Sequence, residues 1–224
     1  MELIEALQSR KSVRRFLPTE VPLDTVKAIL DLAGTAPSGN NIQPWRSYVV
    51  VGQAKETLCG EIMEAVERDP QAHQPEYDYY PPEYFEPFLS RRRTTGQALY
   101  DSMGIKRDDK ERRLEQMNRN YLFFDAPVGI LVTMDRRHAT GCWMDIGMYL
   151  QNILLAAREF GLHTCGQAAF AWFHQIVRQQ LSIPEQEMVV CAIALGYEDC
   201  DAPENNYRTE RESVDTLCQF YGFE

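Results

Sequence analysis

The chain has 224 residues, 44% of them apolar, enough for one α/β domain with a sizeable core or two small ones, and one is expected. Its formal net charge of −10 and pI near 5.0 argue against a general nucleic-acid or acidic-membrane binder, because such proteins need excess positive charge to displace counterions. No run approaches the ~20 apolar residues needed to cross a bilayer, and the first residues hold Glu2 and Glu5 without a continuous apolar core, so the expectation is a cytoplasmic protein with no membrane contact.

In chain order, Glu2 to Gln8 reads as a short helix leading into the basic stretch Arg10-Lys11-Ser12-Val13-Arg14-Arg15. Pro22 then opens a stronger helix with Val26, Ile29, Leu30 and Ala33 at the 3.6-residue period. The cluster Pro37-Ser38-Gly39-Asn40 ends it, since none of these residues favours a helix and Gly and Asn tolerate positive φ. Ser47 to Val51 reads as a buried strand closed by Gly52, followed by a helix from about Ala54 to Arg68.

The segment 69–120 differs in composition, with five prolines from Pro70 to Pro87 among Tyr77, Tyr79, Tyr80, Tyr84, Phe85 and Phe88. It reads as an insertion between core elements, and two roles are open for it: a surface excursion or dimer arm, or a lid over a site. Its second half, around Asp108 to Asn120, reads as a charged, solvated helix. Val128 to Met134 and Met188 to Leu195 read as apolar strands. Between them Trp143 to Phe160 predicts a helix apolar nearly all round, which implies burial either in a dimer interface or at the centre of the fold.

The six cysteines are scattered without a Cys-x-x-Cys pair, and the four histidines include no His-Glu-x-x-His, so reduced thiols and no metal site are expected. No Gly-x-Gly-x-x-Gly follows a strand, and Gly161 to Gly166 has the glycine spacing of a phosphate loop but continues with Gln167 and Ala168, so a resident Rossmann site and a P-loop are both set aside.

Arg10, Lys11, Arg14 and Arg15 place four positive charges and the Ser12 hydroxyl within six residues of an acidic chain. Guanidinium forks of this kind suit a phosphate, and in extended geometry Arg10, Ser12 and Arg14 share a face, though a basic run is also an ordinary solvated surface. Arg208 and Arg211 form a second basic pair near the other end of the chain, and termini of compact domains often approach one another, so both pairs can grip one anion or salt-bridge to nearby acids. The turn Pro37-Ser38-Gly39-Asn40-Asn41 before Gln43-Pro44-Trp45 offers small side chains and amides where a backbone can approach a flat heterocycle. An ordinary helix-to-strand loop is the plain alternative.

Taken in order, Arg10-x-Ser12-x-Arg14, the stretch from Ala36-Pro37-Ser38-Gly39 to Gln43-Pro44-Trp45, Asp125-Ala126-Pro127-Val128, Asp145-Ile146-Gly147-Met148, Gly161-Leu162-x-Thr164-Cys165 and the Arg208-Thr209-Glu210-Arg211 ending resemble the nitroreductase family of FMN enzymes over nearly the whole chain. The Pro81-Pro82-Glu83-Tyr84-Phe85-Glu86-Pro87 insertion makes it similar to the nitrobenzoate-reductase-like group.

The resemblance implies an α+β, three-layer fold with a central mixed or antiparallel sheet flanked by helices. It also implies a single FMN-binding domain over 1–224, built as an intertwined homodimer with FMN at the interface. Arg10, Lys11, Ser12 and Arg14 would hold the phosphate and ribityl chain together with Arg208 and Arg211, while Pro37, Ser38, Gly39 and Asn41 would come from the partner subunit to line the ring. Gly166, Gln167 and Ala168 match the segment whose backbone approaches flavin N5, although Gly166 stands where proline is common and Ala168 where some members carry Glu. One further contact would come from Asn118, Arg119 or Asn120.

The implied activity is ping-pong hydride transfer from NADH or NADPH through FMN to a nitroaromatic or related small acceptor, with no catalytic side chain assigned. Alternatives are an enone, a quinone, a halogenated compound or flavin itself as acceptor, or a flavin-binding sensor without catalysis. The family's dehalogenases hold their substrate with a lid carboxylate, tyrosine and lysine, and Glu76 to Arg93 contains no lysine.

Overall fold

The computed structural model describes residues 1–223, Pro70 by its backbone alone. Its centre is a four-stranded sheet of β1 (Trp45–Val51), β2 (Val128–Asp135), β3 (His163–Gln167) and β4 (Glu187–Gly196), in the order β1-β2-β4-β3. Every pairing is antiparallel. The three apolar strands expected from sequence are present, each a little longer than read. β3 was not anticipated, because only five residues, two of them Gly166 and Gln167, carry no strand alternation of their own; it exists through its pairing with β4.

Alternation along β2 sends Val128, Ile130, Val132 and Met134 to one face and Leu131 to the other. The first face packs on helices α2 (Leu23–Gly34) and α6 (Cys142–Glu159), the second on α3 (Gly52–Arg68) and α7 (His174–Leu181), which gives three layers. α2 contributes Val26, Ile29 and Ala33, the period read from sequence. Trp45 closes its end of the sheet by stacking on Tyr149 of α6, ring centroids 4.8 Å apart and 3° from parallel.

Between β2 and β4 the register shifts: Val132 pairs with Cys191 but Thr133 with Val189. Val190 is therefore the extra residue of a bulge, and Val190 and Cys191 both join the α2/α6 face despite being consecutive.

α6 is not buried all round. Cys142, Ile146, Tyr149, Ile153 and Ala157 form one buried stripe, while Met144 is 71% and Met148 37% exposed on another. The helix is thus central on one side and open on the other within the single chain. α1 (Leu3–Ser9) precedes the basic stretch, and the 69–120 segment holds α4 (Phe88–Ser102) and α5 (Lys110–Asn118), the latter within the charged stretch expected to be helical. α4, unforeseen among the prolines and aromatics, buries no residue. α8 (Val214–Leu217) lies in a C-terminal segment that leaves Phe220, Tyr221 and Phe223 exposed.

Just before β2 the backbone makes a left-handed turn, with φ of 52° at Phe123, 53° at Phe124 and 69° at Asp125. Three consecutive residues other than glycine in this region are costly and require a surrounding that over-determines them. Phe123 supplies part of it: its ring lies flat over Gly129, leaving no room for a Cβ there, and both are sealed in the core.

Candidate active site

The basic stretch runs along the free edge of β3. Ser12 bridges Thr164 in parallel, and Val13 N–H donates to the Thr164 carbonyl at 3.0 Å. This turns Arg10, Ser12 and Arg14 to one side, where Tyr207, Arg208, Thr209 and Arg211 close a pocket of about 290 Å³. The Arg14 guanidinium donates to the Tyr207 hydroxyl at 2.6 Å. Arg208 donates to the carbonyls of Gln8 and Ser9 at 2.7 and 3.2 Å, capping the C-terminal end of α1. Arg211 folds onto Thr209 and the Glu210 carbonyl.

Among the described residues, no ion pair reaches Arg10, Arg14, Arg208 or Arg211, and no acid lines the pocket. The Arg10 guanidinium is held below its ordinary pKa first by burial and then by the like charges of Arg211 and Arg208. Uncompensated guanidinium groups drawn together in a chain of net charge −10 create a site for an anion.

The neighbouring cations behave otherwise. Lys11 lines the pocket, but its ammonium lies 2.5 Å from Glu198 Oε1 and donates to the Asn205 carbonyl at 2.6 Å. Arg15 and Arg119 close a ring of ion pairs with Glu204 and Asp125, at 2.6 to 3.1 Å. Glu204 is thereby ionised more readily than an ordinary carboxyl: burial pushes its pKa up, but backbone hydrogen bonding and the Arg119 and Arg15 guanidiniums outweigh it.

Asn205, 2% exposed, fixes the basic stretch from behind. Its Oδ1 accepts from Arg14 N–H at 2.7 Å, and its Nδ2 donates to the carbonyls of Arg15 and Asp199 at 2.8 and 2.9 Å. Asn205, Glu204 and Glu198 were not singled out from sequence. Their residue types carry no motif, and only the fold shows that they order Lys11, Arg14 and Arg15.

At the far end of β3, Gly166, Gln167 and Ala168 open onto a cleft of about 550 Å³ walled by Trp143, Ile146 and Leu150 of α6, Val190 and Cys191 of the bulge, and Tyr77 to Tyr79 of the insertion. Gly166 is bare toward it, with no atom within 4 Å of where a Cβ would stand. Gln167 is buried and donates through Nε2 to the Asn120 carbonyl at 2.6 Å. Tyr77 donates its hydroxyl to the Val190 carbonyl and tilts against Trp143, ring centroids 4.6 Å apart. Burial pushes the Cys191 thiol up to about 12, so it stands in the cleft as a protonated, apolar wall.

Pro37, Ser38, Gly39 and Asn41 line neither the basic pocket nor this cleft. Gly39 N–H donates to Asp145 at 3.3 Å and Ser38 Oγ accepts from Gln43 N–H at 3.0 Å, while positive φ falls on Asn40, Asn41 and Gln43 rather than on the glycine. Pro37, Gly39 and Asn41 are exposed. Of the residues just before β2, Arg119 is committed to Glu204 and Asp125, Asn120 to Met117 and Gln167, and Asn118 keeps a buried Oδ1 without a hydrogen-bond partner.

A basic pocket and an apolar aromatic cleft thus lie along one edge strand of an antiparallel sheet held between helical layers, the architecture of an α+β protein. The Nitroreductase family model matches residues 7–197, and the chain belongs to that family. It is 41% identical to a 4-nitrobenzoate reductase of Nocardioides sp. over 98% of this chain and 90% of the relative. It is 37% identical to the nitrobenzene nitroreductase of Ectopseudomonas oleovorans over 96% and 95%. Among solved structures it resembles the FMN- and NADPH-dependent nitroreductase NfnB of sphigopyxis sp. strain HMH, with TM-score 0.96 and 35% identity over the whole of both chains.

Proposed function

We propose that this protein is an FMN-dependent NAD(P)H oxidoreductase that reduces nitroaromatic compounds, acting as a cytoplasmic homodimer. The observation that carries the reading is the group of Arg10, Arg14, Arg208 and Arg211, without acid partners among the described residues and joined by Ser12, beside the strand that leads to the cleft. This donor set fits a phosphate monoester, and the bare Gly166 backbone leaves room for a ring to lie against the strand.

When bound, FMN would supply the two-electron chemistry that couples NAD(P)H oxidation to reduction of the nitro acceptor. The chain does the rest. Arg10, Ser12, Arg14, Arg208 and Arg211 hold the phosphate end, with Lys11 locking the same stretch to Glu198. Gly166, Gln167 and Ala168 orient the ring by backbone approach, and Trp143, Tyr77 and Leu150 exclude water from the face where donor and acceptor enter in turn. Residues 77–79 serve as the roof of the cleft, which makes this part of the insertion a lid.

The homodimer reading rests on apolar surface that one chain leaves open: Leu3, Ile4 and Leu7 of α1, Met144 and Met148 of α6, and Val214, Leu217, Phe220, Tyr221 and Phe223 at the C-terminus. In that assembly, the exposed Pro37 to Asn41 turn, with Ser38, Gly39 and Asn41, completes the ring site of the other subunit.

The test is the visible spectrum of the purified protein, identification of the released cofactor, and anaerobic addition of NADPH followed by nitrobenzene. A yellow protein that releases FMN, bleaches with NADPH and recolours with nitrobenzene is expected. A colourless preparation that neither binds nor responds to added FMN overturns the reading.

A further inference from the structure

The cleft is electrically lopsided. Among the described residues Asp78 is the single charged one lining it, exposed at the rim and without a hydrogen-bond partner among them. The two arginines that hold Glu76, and Arg137 beside one of them in sequence, are paired with other acids. Arg136 and Arg178 lie 2.8 and 3.2 Å from the Glu76 carboxylate, which anchors the insertion one residue before Tyr77. Arg137 lies 2.6 Å from Asp135. The remaining wall of Trp143, Ile146, Leu150, Val190 and Cys191 is apolar, with the Tyr77 hydroxyl turned to the Val190 carbonyl.

From this distribution of charge we infer that the acceptor site selects neutral and cationic nitroaromatics over carboxylated ones, with Asp78 as the specificity-determining residue. The inference rests on the reductase reading above and names the substrate class of the same site. An aromatic acid whose nitro group reaches the Gly166 to Ala168 end would have to desolvate its carboxylate among apolar side chains or turn it toward Asp78, since no guanidinium or ammonium stands among the described residues with which this chain lines the cleft. At a separation of about 7 Å two like charges cost about 3-fold in binding through water and about 50-fold where stacked rings exclude it. The nicotinamide ring of the donor is neutral when reduced and cationic when oxidised, so the same aspartate does not oppose its entry or delay it by repulsion.

The experiment uses the FMN-loaded protein at saturating NADPH and low ionic strength. Steady-state kcat/KM is measured for 4-nitrobenzoate, 4-nitrobenzamide and 4-nitrobenzylamine, in the natural protein and in Asp78→Asn. FMN content serves as the control for an intact fold. Expected is a KM for the benzoate about 3- to 50-fold above that of the amide. The benzoate-to-amide ratio should narrow in Asp78→Asn and in added salt, while the benzylamine should lose affinity in the variant. Comparing ratios between the two proteins cancels the intrinsic ease of reducing each nitro group. A benzoate taken as readily as the amide, or a ratio that Asp78→Asn leaves unchanged, overturns the charge filter alone. No turnover of any nitroaromatic by a protein whose FMN is reduced by NADPH overturns the reductase reading and the filter with it.

Discussion

Replacing Arg10 by alanine separates what the guanidinium does for the cofactor from what it does for the fold, because the two effects have opposite signs. The side chain is half-buried, faces Arg208 and Arg211, and has no carboxylate to offset that repulsion among the described residues. Removing it relieves like charges in the empty pocket, so the melting temperature of the flavin-free protein stays constant or rises. Toward a phosphate, the same change deletes a charge-assisted hydrogen bond of about 1.5–3 kcal/mol. At 1.4 kcal/mol per tenfold, the Kd for FMN increases about 10- to 150-fold. Titrating flavin-free protein with FMN and following the quenching of flavin fluorescence measures it, and riboflavin, which lacks the phosphate, provides the control. Riboflavin affinity should move by less than about twofold. An FMN Kd that also stays within about twofold, or an equal loss for both flavins, refutes the assignment of this pocket to the phosphate.

Gly166→Val places a strand-favouring side chain in open space at the cleft, so the fold should melt as before while FMN retention falls at least about tenfold; an unaltered FMN content contradicts a ring lying against this strand. Gly129→Ala drives a Cβ to 2.5 Å from the Phe123 ring, whose left-handed backbone gives it little freedom to retreat, and should cost about 1–3 kcal/mol in urea unfolding. An unchanged urea midpoint counts against that packing. His163 is held down at about 4, chiefly by burial and then by Arg158; the Glu198 carboxylate 3.1 Å away pulls upward, but it is shared with Lys11 and loses. Because the unfolded chain takes up this proton near pH 6.5 and the folded chain near 4, stability is full above 6.5 and declines as the pH falls through that window. His163→Gln should flatten the decline, and an identical pH profile of unfolding would show that His163 is not its source.

Much of the fold was legible because hydrophobic periodicity is local. Val128 to Met134 and Met188 to Leu195 announce buried strands, and Val26, Ile29 and Ala33 announce one face of α2. β3 was not, since His163-Thr164-Cys165-Gly166-Gln167 is a strand by the company of β4 and Ser12 rather than by its composition. α4 escaped for the opposite reason, a solvated helix with no buried residue to set a period. The left-handed turn at Phe123 to Asp125 has no signature at all, because tertiary contacts hold aromatic residues where propensity argues against them.

In the site, the clustering of Arg10, Ser12 and Arg14 with Arg208 and Arg211 followed from spacing plus the proximity of the chain ends. What spacing did not show is which cations are already neutralised. Lys11 and Arg15 look like their neighbours in sequence, yet each has a buried acid behind it, at Glu198 and Glu204 respectively. Likewise Asp145 and Trp45, read as parts of motifs, acquire physical roles in the fold: one holds the Gly39 amide and the other stacks on Tyr149.

The bulge in β4 ties the geometry of the sheet to that of the cleft roof. By placing Val190 and Cys191 side by side on one face, it widens the wall and presents a carbonyl to Tyr77, whose neighbour Glu76 is gripped by Arg136 and Arg178. Loss of that single extra residue would restore plain alternation, every other side chain of β4 keeping its face, but it would remove the carbonyl on which the roof rests. Length changes in this strand are therefore forbidden to drift independently of the insertion: a core element and a surface excursion, far apart in the chain, are bound to vary as one unit.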